Sequence, residues 1–242
     1  MATVSRYSRP ASLAEAFALL DRPGAVVLGG GTTLNAVASA GPIEVVDLQA
    51  LGLDRIEPLD GGAVRIGARA TLQRLAEAEG LPAALREAAR RELPNTLRAQ
   101  ATLAGTIVTA DPESELLAVL LVHDAAVAVS GAARTEVVPL AELLAALPLS
   151  PGRVVTAVTI DATGASAVAR AGRTRADRPI VAAAARVGPD GARRLALSGV
   201  AATPVLVEEP DEVDPPSDFR GSGAYRRALA EVLASRAQEA LP

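Results

Sequence analysis

A chain of 242 residues that is half apolar can bury a sizeable core, as one large domain or two smaller ones. Its 24 basic and 28 acidic residues leave a net charge of −4, with no basic block and only 2% aromatic residues, so nucleic acid is not an expected partner. The absence of cysteine excludes disulfides, thiolate-held zinc, a cysteine nucleophile and an iron–sulfur cluster bound by this chain, so any metal chemistry has to come from elsewhere.

The N-terminus, Met1-Ala2-Thr3-Val4-Ser5-Arg6, lacks the cationic-then-apolar order of a signal peptide, and no uninterrupted apolar run of about 18 residues follows. The expectation is a cytoplasmic protein without membrane insertion. Ser12-Leu13-Ala14-Glu15 reads as a capping box, with the Glu15 carboxylate returning to the Ser12 N–H ahead of Phe17, Leu19 and Leu20. That helix ends near Asp21. Val26-Val27-Leu28 is then a short strand stopped by Gly29-Gly30-Gly31-Thr32-Thr33-Leu34, after which Asn35 to Ala40 read as a helix closed by Gly41-Pro42. Glycine lets amide N–H groups converge on a ligand with no Cβ in the way, and a following helix adds its positive end, so this turn suits an anion such as a phosphate. Taken alone, the cluster equally fits a turn that only reverses the chain. Ile43 to Leu48 is the next strand, and the order α, β, α, β leads to parallel pairing.

Asp60-Gly61-Gly62 is a hairpin signal before Val64 to Gly67, Thr71 caps a helix carrying Leu72 and Leu75, and a further helix runs from about Ala83 to Leu93. A second cluster of small and hydroxylated residues spans Asn95 to Asp111, where such small side chains permit close approach to the backbone. Asp111-Pro112 reads as a helix start with Glu113 and Glu115 in its first turn and an apolar continuation through Leu121. His123, the single histidine, has no visible carboxylate or nucleophile partner and reads as structural. Short β-rich runs follow, Ala126 to Val129 and Arg153 to Val158, around a small helix near Ala141. Ile180 to Val187, Arg194 to Val200 and Pro204 to Val207 make three antiparallel strands, with Pro189-Asp190-Gly191 as a turn. An acidic, proline-rich loop over 208–216 leads to a helix from Gly223 to Glu239 on which Leu229, Val232 and Leu233 share one face. A boundary near 161–178 separates the larger part from the smaller.

The first glycine cluster in its setting, Ile66-Gly67-Ala68 with Thr71, Thr102-Leu103-Ala104-Gly105-Thr106 before an acidic helix start, and Tyr225-Arg226-Arg227-Ala228-Leu229 together resemble the flavin-binding medium subunit of molybdenum hydroxylases. These are the xanthine dehydrogenase, carbon monoxide dehydrogenase and aldehyde oxidoreductase complexes. The resemblance spans Tyr7 to about Ala237, and several spaced motifs in order are more specific than one glycine-rich loop. It implies an α+β fold: a two-subdomain FAD-binding domain of the PCMH type over 1–170, its subdomains about 1–53 and 54–170. A small C-terminal α+β domain follows over 178–242, and the three antiparallel strands read above fall in it.

The resemblance further implies that Leu28, Gly29, Gly30, Gly31, Thr32, Thr33 and Leu34 hold the FAD pyrophosphate through backbone amides. Thr102, Ala104, Gly105 and Thr106 would approach from the other side. Glu115 falls on the family's acidic position near the ribitol or ribose, and Arg173 and Asp177 fall near the isoalloxazine, where Asp177 equally fits a plain turn residue. Tyr225-Arg226-Arg227 is structural. Three positions depart from the family's usual pattern: Ala104 replaces a glycine, Thr106 an asparagine, and Glu115 an aspartate, while the segment Ala167 to Gly172 lacks the aromatic that often shields the flavin. The implied function is electron transfer, with a molybdenum cofactor in a separate large subunit and 2Fe-2S clusters in a separate small subunit. NAD, a quinone or oxygen would be the final acceptor, and this chain itself would bind no metal and supply no catalytic side chain. A flavin-free structural subunit of the same complex and a stand-alone flavin oxidase are the alternatives.

Overall fold

The computed structural model describes residues 3–34, 41–174 and 177–242; the helix expected over Asn35 to Ala40 lies outside them. In chain order its elements are β1 (Val4–Ser8), α1 (Leu13–Leu20), β2 (Ala25–Leu28), β3 (Ile43–Asp47), β4 (Ile56–Pro58), β5 (Ala63–Gly67), α2 (Leu72–Glu77), α3 (Ala83–Glu92), α4 (Asn95–Arg98) and α5 (Leu103–Thr109). There follow α6 (Glu115–Val122), β6 (Ala126–Ser130), β7 (Thr135–Pro139), α7 (Leu140–Ala145), β8 (Val154–Asp161), β9 (Ala165–Ala171), β10 (Val181–Val187), β11 (Arg193–Ser198), β12 (Val205–Val207) and α8 (Gly223–Glu239).

The strands form three sheets: a parallel β1-β3-β2, an antiparallel β4-β5-β8-β6-β7, and an antiparallel β12-β11-β10-β9. The parallel pairing expected around Ile43 is present, with β3 buried at the centre. Its partner β1 was not anticipated, because Val4-Ser5-Arg6-Tyr7-Ser8 is an edge strand with largely exposed side chains and no apolar alternation. Ser12 caps α1 as expected, its hydroxyl accepting the Glu15 N–H at 3.2 Å. The Glu15 carboxylate, however, accepts the Ala11 N–H at 2.9 Å rather than that of Ser12.

The last sheet has four strands rather than the expected three. Strand β9, Ala165-Ser166-Ala167-Val168-Ala169-Arg170-Ala171, pairs along its whole length with β10. Its alanine-rich sequence carries little β propensity, so only the partner strand reveals it. The alanines of β10 have a packing reason. Ala184, with Ala196 opposite on β11, belongs to the core around α6, whereas Val181, Ala183, Ala185, Leu195 and Leu197 belong to the core beneath α8. Successive side chains point to opposite faces, and small ones let a helix settle on each. Helix α6 is apolar and buried all round for the same reason, wedged between α3 and β10–β11. It starts at Ser114, whose hydroxyl accepts the Leu117 N–H at 3.1 Å, three residues later than Asp111-Pro112 suggested. Asp111 instead accepts the Glu113 N–H at 2.9 Å in a turn.

On α8 the buried stripe is Arg226, Ala230, Leu233, Ala234 and Ala237, and Val232, expected on the same face as Leu233, is 48% exposed. Arg226 donates to the carbonyls of Ile180 and Gly199 at 2.7 and 2.8 Å and to Asp218 at 2.6 Å, which pins the helix start to the sheet. His123 closes α6 with its ring wholly buried, Nδ1 at 2.7 Å from the Asp161 carbonyl and Nε2 at 2.9 Å from the Ser166 hydroxyl. Burial lowers its pKa, the Arg186 charge adds to this, and the ring ties α6 to β8 and β9. No helix among the described residues is long and apolar enough to cross a membrane.

Candidate functional site

Strand β2 delivers Gly29 at the carboxyl end of the parallel sheet, where Leu28 lies opposite Asp47 in the register. The run of β-branched residues ends there, and the loop turns against the segment leading into α5. A Cβ on Gly30 would lie 1.8 Å from the carbonyl oxygen of Gln100, and one on Gly29 would lie 2.9 Å from the Thr102 hydroxyl. Two backbones therefore pass closer than any side chain would permit. Across the same junction the Thr33 and Thr109 hydroxyls are 3.3 Å apart, so the loop meets both ends of α5.

The second cluster, whose small side chains permit this close approach, is largely helical, formed by α4 and α5. Thr102 caps α5 by accepting the Gly105 N–H at 3.2 Å, and the Thr106 hydroxyl donates to the Thr102 carbonyl at 3.3 Å. Among the described residues, no chain acceptor takes the amide N–H of Gly30, Gly31 or Thr32. A buried or half-buried amide without a partner costs free energy unless water or a ligand supplies one.

Between loop and helix lies a cleft of about 710 Å³, a size within the range of small-molecule and cofactor sites. Leu28 through Leu34 line it continuously, and Thr102, Ala104, Gly105 and Thr106 face them. Glu115 and Asp177 do not line it. The Glu115 carboxylate is 3% exposed and held by Arg170 at 2.5 Å and Arg91 at 3.4 Å, so it ties β9 and α3 to the start of α6. Asp177 sits in the connection before β10, its carboxylate 3.5 Å from Arg173, whose side chain is largely exposed, and its N–H donating to the Thr174 hydroxyl at 3.2 Å.

The cleft wall also carries charged residues that the sequence did not single out as part of a site: Arg69, Glu92, Asp111, Arg153 and Arg178. Arg178 bridges Asp111 and Glu92, the latter at 3.4 Å. Burial pushes the Glu92 carboxyl up to about 7, against the opposing pull of Arg178, Ser114 and the Leu116 N–H. Glu92 and Arg178 are 86 residues apart in sequence, so no local spacing could have paired them. Among the described residues no group of histidine, aspartate or glutamate side chains could hold a metal ion.

Residues 3–162 match the family described as the FAD binding domain in molybdopterin dehydrogenase. The uncharacterized protein YgfM of Escherichia coli K12 is 32% identical over 249 residues, covering 95% of this chain and 93% of YgfM. The carbon monoxide dehydrogenase medium chain of Afipia carboxidovorans is 28% identical over 274 residues, covering 96% of this chain and 95% of the relative. A chain in the solved structure of reconstituted CO dehydrogenase from Oligotropha carboxidovorans superposes with a TM-score of 0.88 at 26% identity, covering 99% of this chain and 98% of that one.

Proposed function

Because the chain belongs to the family of FAD binding domains in molybdopterin dehydrogenases, we propose that it is the FAD-carrying electron-transfer subunit of a molybdenum hydroxylase complex. The observation that supports this most is the junction of two glycine-bearing segments across one cleft, with loop amides left without chain acceptors. That arrangement fits the group: a dinucleotide's linked phosphates are the ligand such bare amides take, and each charge-assisted bond contributes roughly 1.5–3 kcal/mol.

In this reading Gly30, Gly31 and Thr32 donate their amides to the pyrophosphate, while Thr102, Gly105 and Thr106 shape the opposite wall. Ala104 keeps its backbone fixed by donating its N–H to the Ala68 carbonyl at 2.9 Å, so the methyl that replaces a family glycine stands in the wall without freedom to withdraw. Glu115 and Asp177 pair with Arg170, Arg91 and Arg173, none of which lines the cleft, so in this reading they hold the surrounding elements together rather than contact the cofactor. When bound, FAD supplies redox chemistry that needs no nucleophile from the chain. The protein orients the cofactor, and the buried Glu92, its carboxyl pushed up to about 7 by burial, can hold a proton in the cleft wall.

Electrons would come from 2Fe-2S clusters of a small partner subunit, after hydroxylation at a molybdenum cofactor in a large one, and leave to NAD, a quinone or oxygen. The cofactor-binding part is proposed to close at Ala162, since β9 joins the C-terminal sheet. A flavin-free structural subunit is the second reading, favoured by the Ala104 methyl in the cleft wall. The visible spectrum of the purified chain separates the two: flavin bands, or their appearance on adding FAD, support the first. A colourless protein that takes up no FAD removes it. Co-purification with one molybdenum-containing and one iron–sulfur subunit tests the partners.

A further inference from the structure

Among the described residues three arginines line the cleft outside the glycine segments, and two are committed. Arg153 donates to Glu136 at 2.5 Å and to the Val129 carbonyl at 3.3 Å, and Arg178 is shared between Asp111 and Glu92. Arg69 is different. Its backbone is fixed, with its own N–H donating to the Leu53 carbonyl at 2.6 Å and that of Ala68 to the Thr156 carbonyl at 3.1 Å. Its side chain is 16% exposed, yet the nearest carboxylate oxygen, on Asp47, stands 3.9 Å away. That carboxylate is already occupied: Oδ1 accepts the Gln49 N–H at 2.9 Å and Oδ2 accepts the Tyr7 hydroxyl at 2.5 Å. Among the described residues the Arg69 guanidinium makes no hydrogen bond, and its Nε is buried without a partner.

We propose that Arg69 is a specificity residue for the phosphorylated form of the flavin, its guanidinium binding the cofactor's diphosphate together with the loop amides. Position supports this. Asp47, which draws Arg69 toward it, is the register partner of Leu28, the residue immediately before Gly29. The arginine is thereby stationed beside the start of the anion-binding loop. A planar guanidinium presents a fork of donors matched to phosphate oxygens, and a half-buried one without acceptors gains most from such a ligand. The partial neutralisation by Asp47 leaves the cation held in place but undercommitted. This inference rests on the FAD reading and adds to it a selection of diphosphate-bearing ligands over riboflavin.

The test uses the full chain freed of flavin, titrated with FAD, ADP and riboflavin for the wild type, R69Q and R69K. R69Q is expected to weaken FAD and ADP about 10- to 100-fold and to leave riboflavin unchanged. R69K, which keeps the charge but not the fork, is expected to lose about 3- to 10-fold for ADP. ADP affinity equal to wild type in R69Q overturns the proposal while leaving the FAD reading intact. Wild-type protein that binds neither FAD nor ADP overturns the FAD reading itself, and the Arg69 role with it. Should R69Q melt before the binding temperature, R69K decides alone: unchanged ADP affinity refutes the role of the guanidinium.

Discussion

Replacing Gly30 with alanine is expected to separate the two segments on which the cleft depends. The added Cβ would lie 1.8 Å from the Gln100 oxygen and 2.6 Å from its carbonyl carbon, whereas ordinary contact begins at 3.4 Å, so the two backbones would have to part by about 1.6 Å. Neither side yields easily. Gln100 and Ala101 both donate to the Leu97 carbonyl, at 2.9 and 2.8 Å, and Ala101 accepts the Leu72 N–H at 2.9 Å; the loop itself continues from a hydrogen-bonded strand. Overpacking against main chain falls at the upper end of the usual 1–3 kcal/mol, about 3 kcal/mol here, which for a chain of this length is a fall in Tm of roughly 6–12 °C. Loop amides displaced by more than about 0.5 Å no longer hold productive geometry, so FAD affinity is expected to fall about 100-fold or more. Gly80→Ala is the control, because a Cβ there meets nothing within 4 Å, and its stability is expected to change by no more than about 0.5 kcal/mol. Calorimetric melting and FAD titration of both variants measure this. A G30A protein that melts with the wild type and binds FAD within a factor of two would refute the close-contact reasoning.

Glu92 gives a pH test. Its carboxyl is raised from 4.5 to about 7 by burial, so between those values the folded chain keeps a proton that the unfolded chain has released. Stability from this group is full below pH 4.5 and is lost as the pH rises through 7, by at most about 3 kcal/mol, and E92Q is expected to flatten that slope in denaturant unfolding across the window. Identical pH profiles for variant and wild type would contradict a raised carboxyl. Thr102→Ala removes the α5 cap and is expected to cost about 1 kcal/mol and to weaken FAD, read by melting and titration; unaltered values for both would dismiss the cap's role. On α8, Leu233→Ala is expected to cost about 2–5 kcal/mol and Val232→Ala no more than about 0.5 kcal/mol, given 1% and 48% exposure. Equal losses would invert the face assignment.

Punctuation residues carried most of what the sequence revealed. Ser12 and Thr71 announce helix starts because one hydroxyl satisfies one free amide, a local event that needs no tertiary context. Asp60-Gly61-Gly62 likewise marks the β4–β5 hairpin. Strands β1 and β9 were invisible, since exposed or alanine-rich segments become strands only through a partner. The face of α8 was misjudged at Val232 because a helix rich in alanine and arginine has no strong apolar stripe, and the buried positions include Arg226 itself. Within the cleft, the loop from Leu28 to Leu34 and the Thr102 to Thr106 segment stood out because glycine and threonine are unusual where bulk would pack. Arg69, Glu92 and Arg178 did not, because charged residues are ordinary on a surface and acquire meaning only when the fold withdraws them from water.

Helix α6 bears on how such a chain can be divided. Only Ala162, Thr163 and Gly164 separate β8 from β9, and Ala184 and Ala196 of the last sheet pack into the same core as Leu116 and Leu120. A fragment cut after Ala162 would lay bare one flank of α6, whose residues from Leu116 to Val122 are all apolar, and would strip Glu115 of its partner Arg170. Such a fragment is expected to aggregate, so recombining the nucleotide-binding portion with other modules would require carrying the β9–β10–β11 scaffold along with it.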